Sequence, residues 1–280
     1  MEGIWNTPVN FICTRVSHHS AHSGYDRIAD YLGERLPVPN YHRRLSRPIP
    51  WRIATRFVAR SGMSWYSLSD FYAEVSAALR MLRRKNEIYH FVYGENSYRY
   101  LRGIGNNRII CTYHQPPSVF TEVVRDREHV RRLDAIVVVA RSQVAFFGEF
   151  VGEERVFLVP LGVDTAFFRP GGRGRAGHRI CLSVGQWLRD FEMLRRAIEV
   201  VNSQTDGVEF VIVTSQPNYG YFDGLGNVTL KCGIPEEELL RLYQDADLFL
   251  LPLLDATANL ALLEAMACGL PIVVTDVGGV

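Results

Sequence analysis

The chain has 280 residues, 47% hydrophobic and 22% charged, a composition that excludes a disordered or collagen-like polypeptide and a length that suits two domains better than one. The formal net charge is +1, but residues 1–170 hold 23 Lys and Arg against 16 Asp and Glu, a net +7, and residues 171–280 hold 8 against 14, a net −6. That division fits two bodies with different partners, and it fits equally well two charged faces that complement each other.

In chain order, the first strand-like run is VNFICTRV, followed by SHHSAHSGYDRIADYLGERL, a polar loop in which Gly24 leads into an amphipathic helix. The segment 42–60, opened by His42 and closed by Arg60, is rich in arginine and aromatic residues. Arg52, Arg56 and Arg60 recur in it at helical spacing, with Trp51, Ile53, Phe57 and Val58 elsewhere on the wheel. This is a candidate for peripheral contact with an anionic lipid surface or a polyanionic acceptor, and it also reads as a solvated helix face. SLSDFYAEVSAALRMLRR predicts a helix. IYHFVYG, RIICTYH, AIVVVA and RVFLVPLG predict strands, with SQVAFFGEFVG helical between the last two.

RPGGRGRAGH then marks a linker, and the pattern restarts. RICLSVG, VEFVIVTS, NVTLKCG, DLFLLPLL and PIVVTD predict strands. LRDFEMLRRAIEVVNS, PEEELLRLYQDA and the segment around Glu264 predict helices. Alternating strands and helices argue for parallel sheets with covered faces, so the expected class is α/β, in two units: 1–170 and 171–280. The five cysteines, Cys13, Cys111, Cys181, Cys232 and Cys268, stand singly, without metal spacing, which is a reduced, cytoplasmic pattern. No charged leader precedes an apolar stretch at the N-terminus, and no apolar run approaches the roughly 20 residues of a membrane span.

Two stretches carry candidate chemistry. In LSVGQWLRDFEMLRRA a strand turns into a helix, and Arg189 stands at the turn, where free helix N–H groups favour a diphosphate. A surface arginine paired with Asp190 or Glu192 is the other reading of that fragment. In DLFLLPLLDATANLALLEAMACG a small-residue loop leads into a helix with Glu264 about one turn in, where a carboxylate can hold the diol of a ribose or simply offset the helix dipole.

Taken whole, EAMACGLPIVVTDVGG resembles the donor-site signature of retaining, nucleotide-sugar-dependent glycosyltransferases of the two-Rossmann-domain (GT-B) type. VPLGVDTAFFRP, LSVGQWLRDFEMLRRA and NVTLKCGIPEEELLRLYQDADLFLLP resemble further family segments in the family's order. The resemblance is strong over residues 155–280 and looser before. It implies two Rossmann-like domains, the first on the acceptor side and the second holding the donor, closing on each other over a cleft. It also implies that the second is incomplete: such domains continue past the glycine pair, and a chain stopping at Val280 is expected to expose apolar surface and dissolve poorly.

By the resemblance, Glu264 contacts the donor's ribose, and Asn259 and Leu260 offer backbone amides to the diphosphate. The family's other glutamate would fall at Ala256 and is absent, with Asp255 one residue away. Gln186 stands where the family carries arginine, and Arg189 takes the place of its lysine, stabilising the departing diphosphate. Ile234 matches the position beside the base. In the first domain Gly24 fits the loop facing sugar and diphosphate, and His114, in TYHQPP, matches a histidine near the reacting sugar. A lone histidine also serves packing and hydrogen bonding. His18, His19 and His22 are candidates for acceptor contacts.

The implied reaction is metal-independent transfer of a sugar from a nucleoside diphosphate sugar to an acceptor hydroxyl with retention, with no cofactor and no nucleic-acid partner. The competing reading is a catalytically inactive nucleotide-sugar-binding relative or partner subunit, motivated by Ala256 and Gln186. An epimerase of similar architecture fits the acidic residues less well, and no G-x-G-x-x-G follows the first strand as an oxidoreductase would require. Localisation is expected to be cytoplasmic, with the membrane surface as the peripheral site.

Overall fold

The computed structural model describes residues 7–13, 22, 24–32, 34–36, 49–171 and 179–280. Most of the glycine-rich linker, His18, His19 and the part of the arginine-rich segment before Ile49 lie outside them. The chain forms two compact units, one of Met1–His19 with Tyr25–Pro160, the other of Ser20–Gly24 with Leu161–Val280.

The first unit is built on β1 (Val9–Ile12), α1 (Ile28–Leu32), β2 (Glu34–Arg35), α2 (Trp51–Ala59), α3 (Leu68–Met81), β3 (Ile88–Phe91), α4 (Gly94–Ser97), β4 (Arg108–Tyr113), α5 (Pro117–Val123), β5 (Ala135–Val138), α6 (Val144–Val151) and β6 (Val156–Leu158). Its strands order β2-β1-β3-β4-β5-β6 and all pair in parallel. Phe91, Cys111, Tyr113, Ile136 and Val138 are buried, as expected of parallel strands covered on both faces. Helix α3 starts where the sequence says it should: Ser67 and Asp70 form a reciprocal capping box.

The expected amphipathic helix after Gly24 is much shorter than its pattern. A 3₁₀ turn at Tyr25–Arg27 runs into the five-residue α1, and the chain then enters β2. The edge of β1 explains the early stop. Its unpaired peptide groups take Glu34 and Arg35 into register with Asn10 and Phe11, and Leu36 N–H donates to the Phe11 carbonyl at 2.9 Å.

The second unit comprises β7 (Arg179–Val184), α7 (Phe191–Gln204), β8 (Val208–Val213), β9 (Val228–Lys231), α8 (Glu236–Asp245), β10 (Leu248–Leu251), α9 (Leu260–Ala267) and β11 (Ile272–Val274). Its parallel strands order β11-β10-β7-β8-β9, so the winding reverses between β7 and β10. Strand periodicity sorts the core into two layers. Leu182, Val184 and Val211 pack on one face with Tyr243, Phe249 and Ala265, while Cys181, Phe210 and Ile212 pack on the other with Phe191, Leu194 and Ile198. Asp190 caps α7 through Met193 N–H, and Asn259 caps α9 through Leu262 N–H.

Candidate functional site

In open α/β sheets ligands bind beyond the carboxyl ends of the strands at the point where the winding reverses. In the second unit that point lies between the loop after β7 and the loop after β10. The two loops are tied together. Arg189 and Leu253 form an isolated antiparallel bridge, Asp190 N–H donates to the Pro252 carbonyl at 3.1 Å, and Leu254 N–H donates to the Leu188 carbonyl at 3.0 Å.

The first loop takes positive φ in two places, freely at a glycine and at some cost at a leucine. Gly185 has φ +109°, and Leu188 has φ +54°, uncommon for a residue with a side chain. A Cβ added at Gly185 would lie 2.3 Å from Arg189 Nη2, so the guanidinium rests on the bare glycine. Arg189 Nε donates to the Val184 carbonyl at 3.1 Å and Nη1 to the Trp187 carbonyl at 2.9 Å. Nη2 reaches Asn259 Oδ1 at 3.4 Å, the same oxygen that caps α9. Neither sequence reading of Arg189 anticipated this: the guanidinium is held by carbonyl oxygens of its own loop and by the α9 cap. Gln186 and Trp187 are exposed at the loop tip.

Glu264 lies one turn into α9, buried at 5% exposure. Its Oε2 accepts the hydroxyl hydrogen of fully buried Tyr243 at 2.9 Å. Burial and the neighbouring Glu264 push the Tyr243 phenol well above its ordinary range, while the Arg189 charge acts on it in the opposite sense. Arg189, Tyr243, Asn259 and Glu264 thus share one electrostatic neighbourhood. Leu260 opens α9, and Ile234, half-buried, follows Gly233 in the loop before α8. Ala256, at the place of the family's other glutamate, is buried, and its carbonyl accepts Gly279 N–H at 3.0 Å. Asp255 turns its Oδ1 to Ala256 N–H at 2.8 Å.

His22 also falls within the second unit. Its ring stacks on Phe167 at 3.9 Å, Nδ1 meets Asp164 Oδ2 at 2.9 Å, and its N–H donates to Glu236 Oε1 at 2.8 Å. Gly24 belongs to the same short segment.

In the first unit the winding reverses between β1 and β3, and His114 lies at the carboxyl end of β4. The ring is buried and stacked on Tyr25 at 3.9 Å, with Nε2 donating to the Val92 carbonyl at 2.7 Å. The main-chain N–H of His114 donates to Glu95 Oε1 at 2.9 Å. Burial pushes the Glu95 carboxyl up to about 7, against the pull of the amides it accepts from.

Sequence reading missed Tyr243, Gly185 as a seat for the guanidinium, and Glu95. Signals existed for two of them: a glycine between a strand and an arginine-bearing turn, and an acid one residue after the glycine that ends an apolar strand. Tyr243 had none, since it sits in the helical apolar register of Leu239, Leu240 and Leu242.

Residues 178–280 match the sequence family described as "Glycosyl transferases group 1". Among curated relatives, the D-inositol 3-phosphate glycosyltransferase of Segniliparus rotundus is 26% identical over 186 residues, covering 58% of this chain and 41% of that protein. The MMP alpha-(1->4)-mannosyltransferase of Mycolicibacterium hassiacum is 32% identical over 137 residues, covering 46% and 33%. The chain therefore spans less than half the length of these relatives in the matched part. Sucrose-phosphate synthase from Thermosynechococcus elongatus superposes with a TM-score of 0.66 at 16% identity, covering 98% of this chain and 82% of that one. The UDP-forming trehalose-phosphate synthase from Burkholderia xenovorans gives 0.63 at 13%, covering 98% and 85%. The expected class stands: the fold is α/β, with two Rossmann-like parallel sheets of the GT-B type, and the resemblance to glycosyltransferases read from the motifs holds over the second unit.

Proposed function

We propose that this chain transfers a sugar from a nucleoside diphosphate sugar to an acceptor hydroxyl with retention of configuration and without a metal ion. One observation carries the reading. At the winding reversal of the second unit, the Arg189 guanidinium and the N-terminus of α9 meet through Asn259, with Glu264 one turn further on. A cation and a row of helix N–H groups suit a diphosphate, and a buried carboxyl at that distance along the helix suits a ribose diol.

In this mechanism the diphosphate leaves with its developing charge met by Arg189 and the amides of Asn259 and Leu260. Glu264 holds the ribose and Ile234 lies toward the base. The acceptor hydroxyl attacks from the leaving-group face through an ion-pair-like transition state, its oxygen bonding to the sugar as the sugar–phosphate bond breaks and its proton passing to the departing diphosphate. Gly24 and His114 match the family pattern, and Gln186 stands uncharged where that pattern has arginine. The matched relatives named for D-inositol 3-phosphate act on a phosphorylated acceptor, and the +7 charge of residues 1–170 favours an anionic acceptor in this chain too. Helix α2 exposes Trp51, Ile53 and Phe57 at 44–47% along with Arg52 and Arg56, a mixture of apolar and basic groups suited to an anionic lipid surface.

A second reading has two residues in its favour, Ala256 and the uncharged Gln186. Ala256 leaves the place of the family's other glutamate without a carboxyl, and a donor-binding but inactive relative would show that pattern. Thermal shift against a panel of nucleoside diphosphate sugars, followed by product analysis with the best binder, tests both. Binding with transfer supports the enzyme, binding without transfer or donor hydrolysis supports the inactive relative, and stabilisation by none of the panel refutes both.

A further inference from the structure

Tyr243 is a buried group that the sequence pattern left among core residues and that the proposed mechanism does not use. It is completely inaccessible and lies on α8, opposite α9. Its ring packs against Phe168 and Phe249, at centroid distances of 6.1 and 5.8 Å, which fixes the plane in which its hydroxyl can point. The hydroxyl carries one hydrogen. Glu264 Oε2 lies 2.9 Å away and the Ala261 carbonyl 3.3 Å away, so the shorter contact to the acid receives it.

A glutamate one turn into a helix, left to itself, samples several rotamers. One whose Oε2 is anchored by a donor on a second, packed helix presents its carboxyl in a single plane. Bidentate recognition of a vicinal diol needs that constraint, because both oxygens must be placed relative to two hydroxyls at once.

We infer that Tyr243 is a positioning residue for ribose recognition, acting through Glu264 and touching no ligand itself. The inference rests on the donor reading given above and deepens it: the second unit selects ribo- over deoxyribonucleoside diphosphates, and the phenol of α8 sets that selection.

The test uses the full chain with uridine and guanosine diphosphates and their 2′,3′-dideoxy counterparts as probes, and calorimetry as the readout. The unaltered chain should bind whichever ribonucleotide it prefers about tenfold more tightly than the dideoxy form. Tyr243→Phe keeps the ring and removes the donor. It should bring that ratio close to one while affinity for the dideoxy probe stays within about twofold. A lowered Tm with the ratio intact would mean that the hydroxyl serves only stability, and would overturn the inference.

If Tyr243→Phe fails to fold, the pair Glu264→Gln and Glu264→Gln with Tyr243→Phe decides the matter, since neither leaves a buried acid without its donor. Equal ratios in the two support action through Glu264, and a further fall in the double variant contradicts it. Failure of the unaltered chain to bind any of the four probes would instead refute the donor reading on which the inference rests.

Discussion

Each unit buries a glutamate in the segment that follows a parallel strand flanking its winding reversal, and different donors reach the two: a side chain at Glu264 and main-chain N–H groups at Glu95. Glu264, one turn into α9, accepts a hydrogen bond from a side chain, the Tyr243 hydroxyl. Glu95 follows β3 and takes backbone N–H bonds from the end of β4, including that of His114. A side-chain donor from another helix fixes an acid without committing the main chain around it. Backbone donors make the acid part of the loop it braces. Glu264 therefore reads as a recognition group held in readiness, and Glu95 as a brace that fixes where His114 leaves its strand.

The largest effect that would test this contrast is on pH-dependent stability. Glu95 is pushed up to about 7 from an ordinary value of 4.5, so the fold favours its protonated form. Its contribution is complete below pH 4.5 and is lost as pH rises through 7. Glu95→Gln should leave stability unchanged below pH 4.5 and raise it relative to the unaltered chain by about 3 kcal/mol above pH 7. Denaturant titrations across pH 4–9 check this, and parallel curves for the two chains would show that burial does not raise the Glu95 carboxyl.

Next in size is the cation of the second unit. Arg189→Ala should weaken nucleoside diphosphate binding about a hundredfold while leaving Glu95-dependent behaviour in the first unit untouched. Unaltered affinity by calorimetry would remove Arg189 from the diphosphate site. Gly185→Ala places a methyl against the guanidinium at φ +109° and should cost about 2 kcal/mol of stability along with part of that affinity, read together from Tm and binding. The smallest change is Asn259→Ala. It removes the α9 cap and should cost about 1 kcal/mol in thermal unfolding, with a modest loss of affinity as the guanidinium loses one of its partners.

Much of the architecture was legible because short apolar runs alternating with helical periods admit few arrangements. The helices read from SLSDFYAEVSAALRMLRR and PEEELLRLYQDA both formed, as α3 and α8. The helix after Gly24 was misjudged in length because its amphipathic pattern says nothing of the open edge of β1, which takes Glu34 and Arg35 into the sheet. The site was legible in part. Glu264 and Arg189 stood out because each is a charge beside a strand end, but the reading of Arg189 as a surface ion pair did not anticipate the carbonyl cage that holds it.

The sequence by itself determined the α/β class, the order of elements and the positions of the acid and the cation, since those depend on patterns a few residues long. Tertiary structure alone decided that a phenol 21 residues before Glu264 would meet its carboxyl, and that a guanidinium would rest on Gly185 and reach Asn259 across the winding reversal. Those contacts join loops and helices distant along the chain, and which of them form depends on how the sheet stacks its neighbours in space.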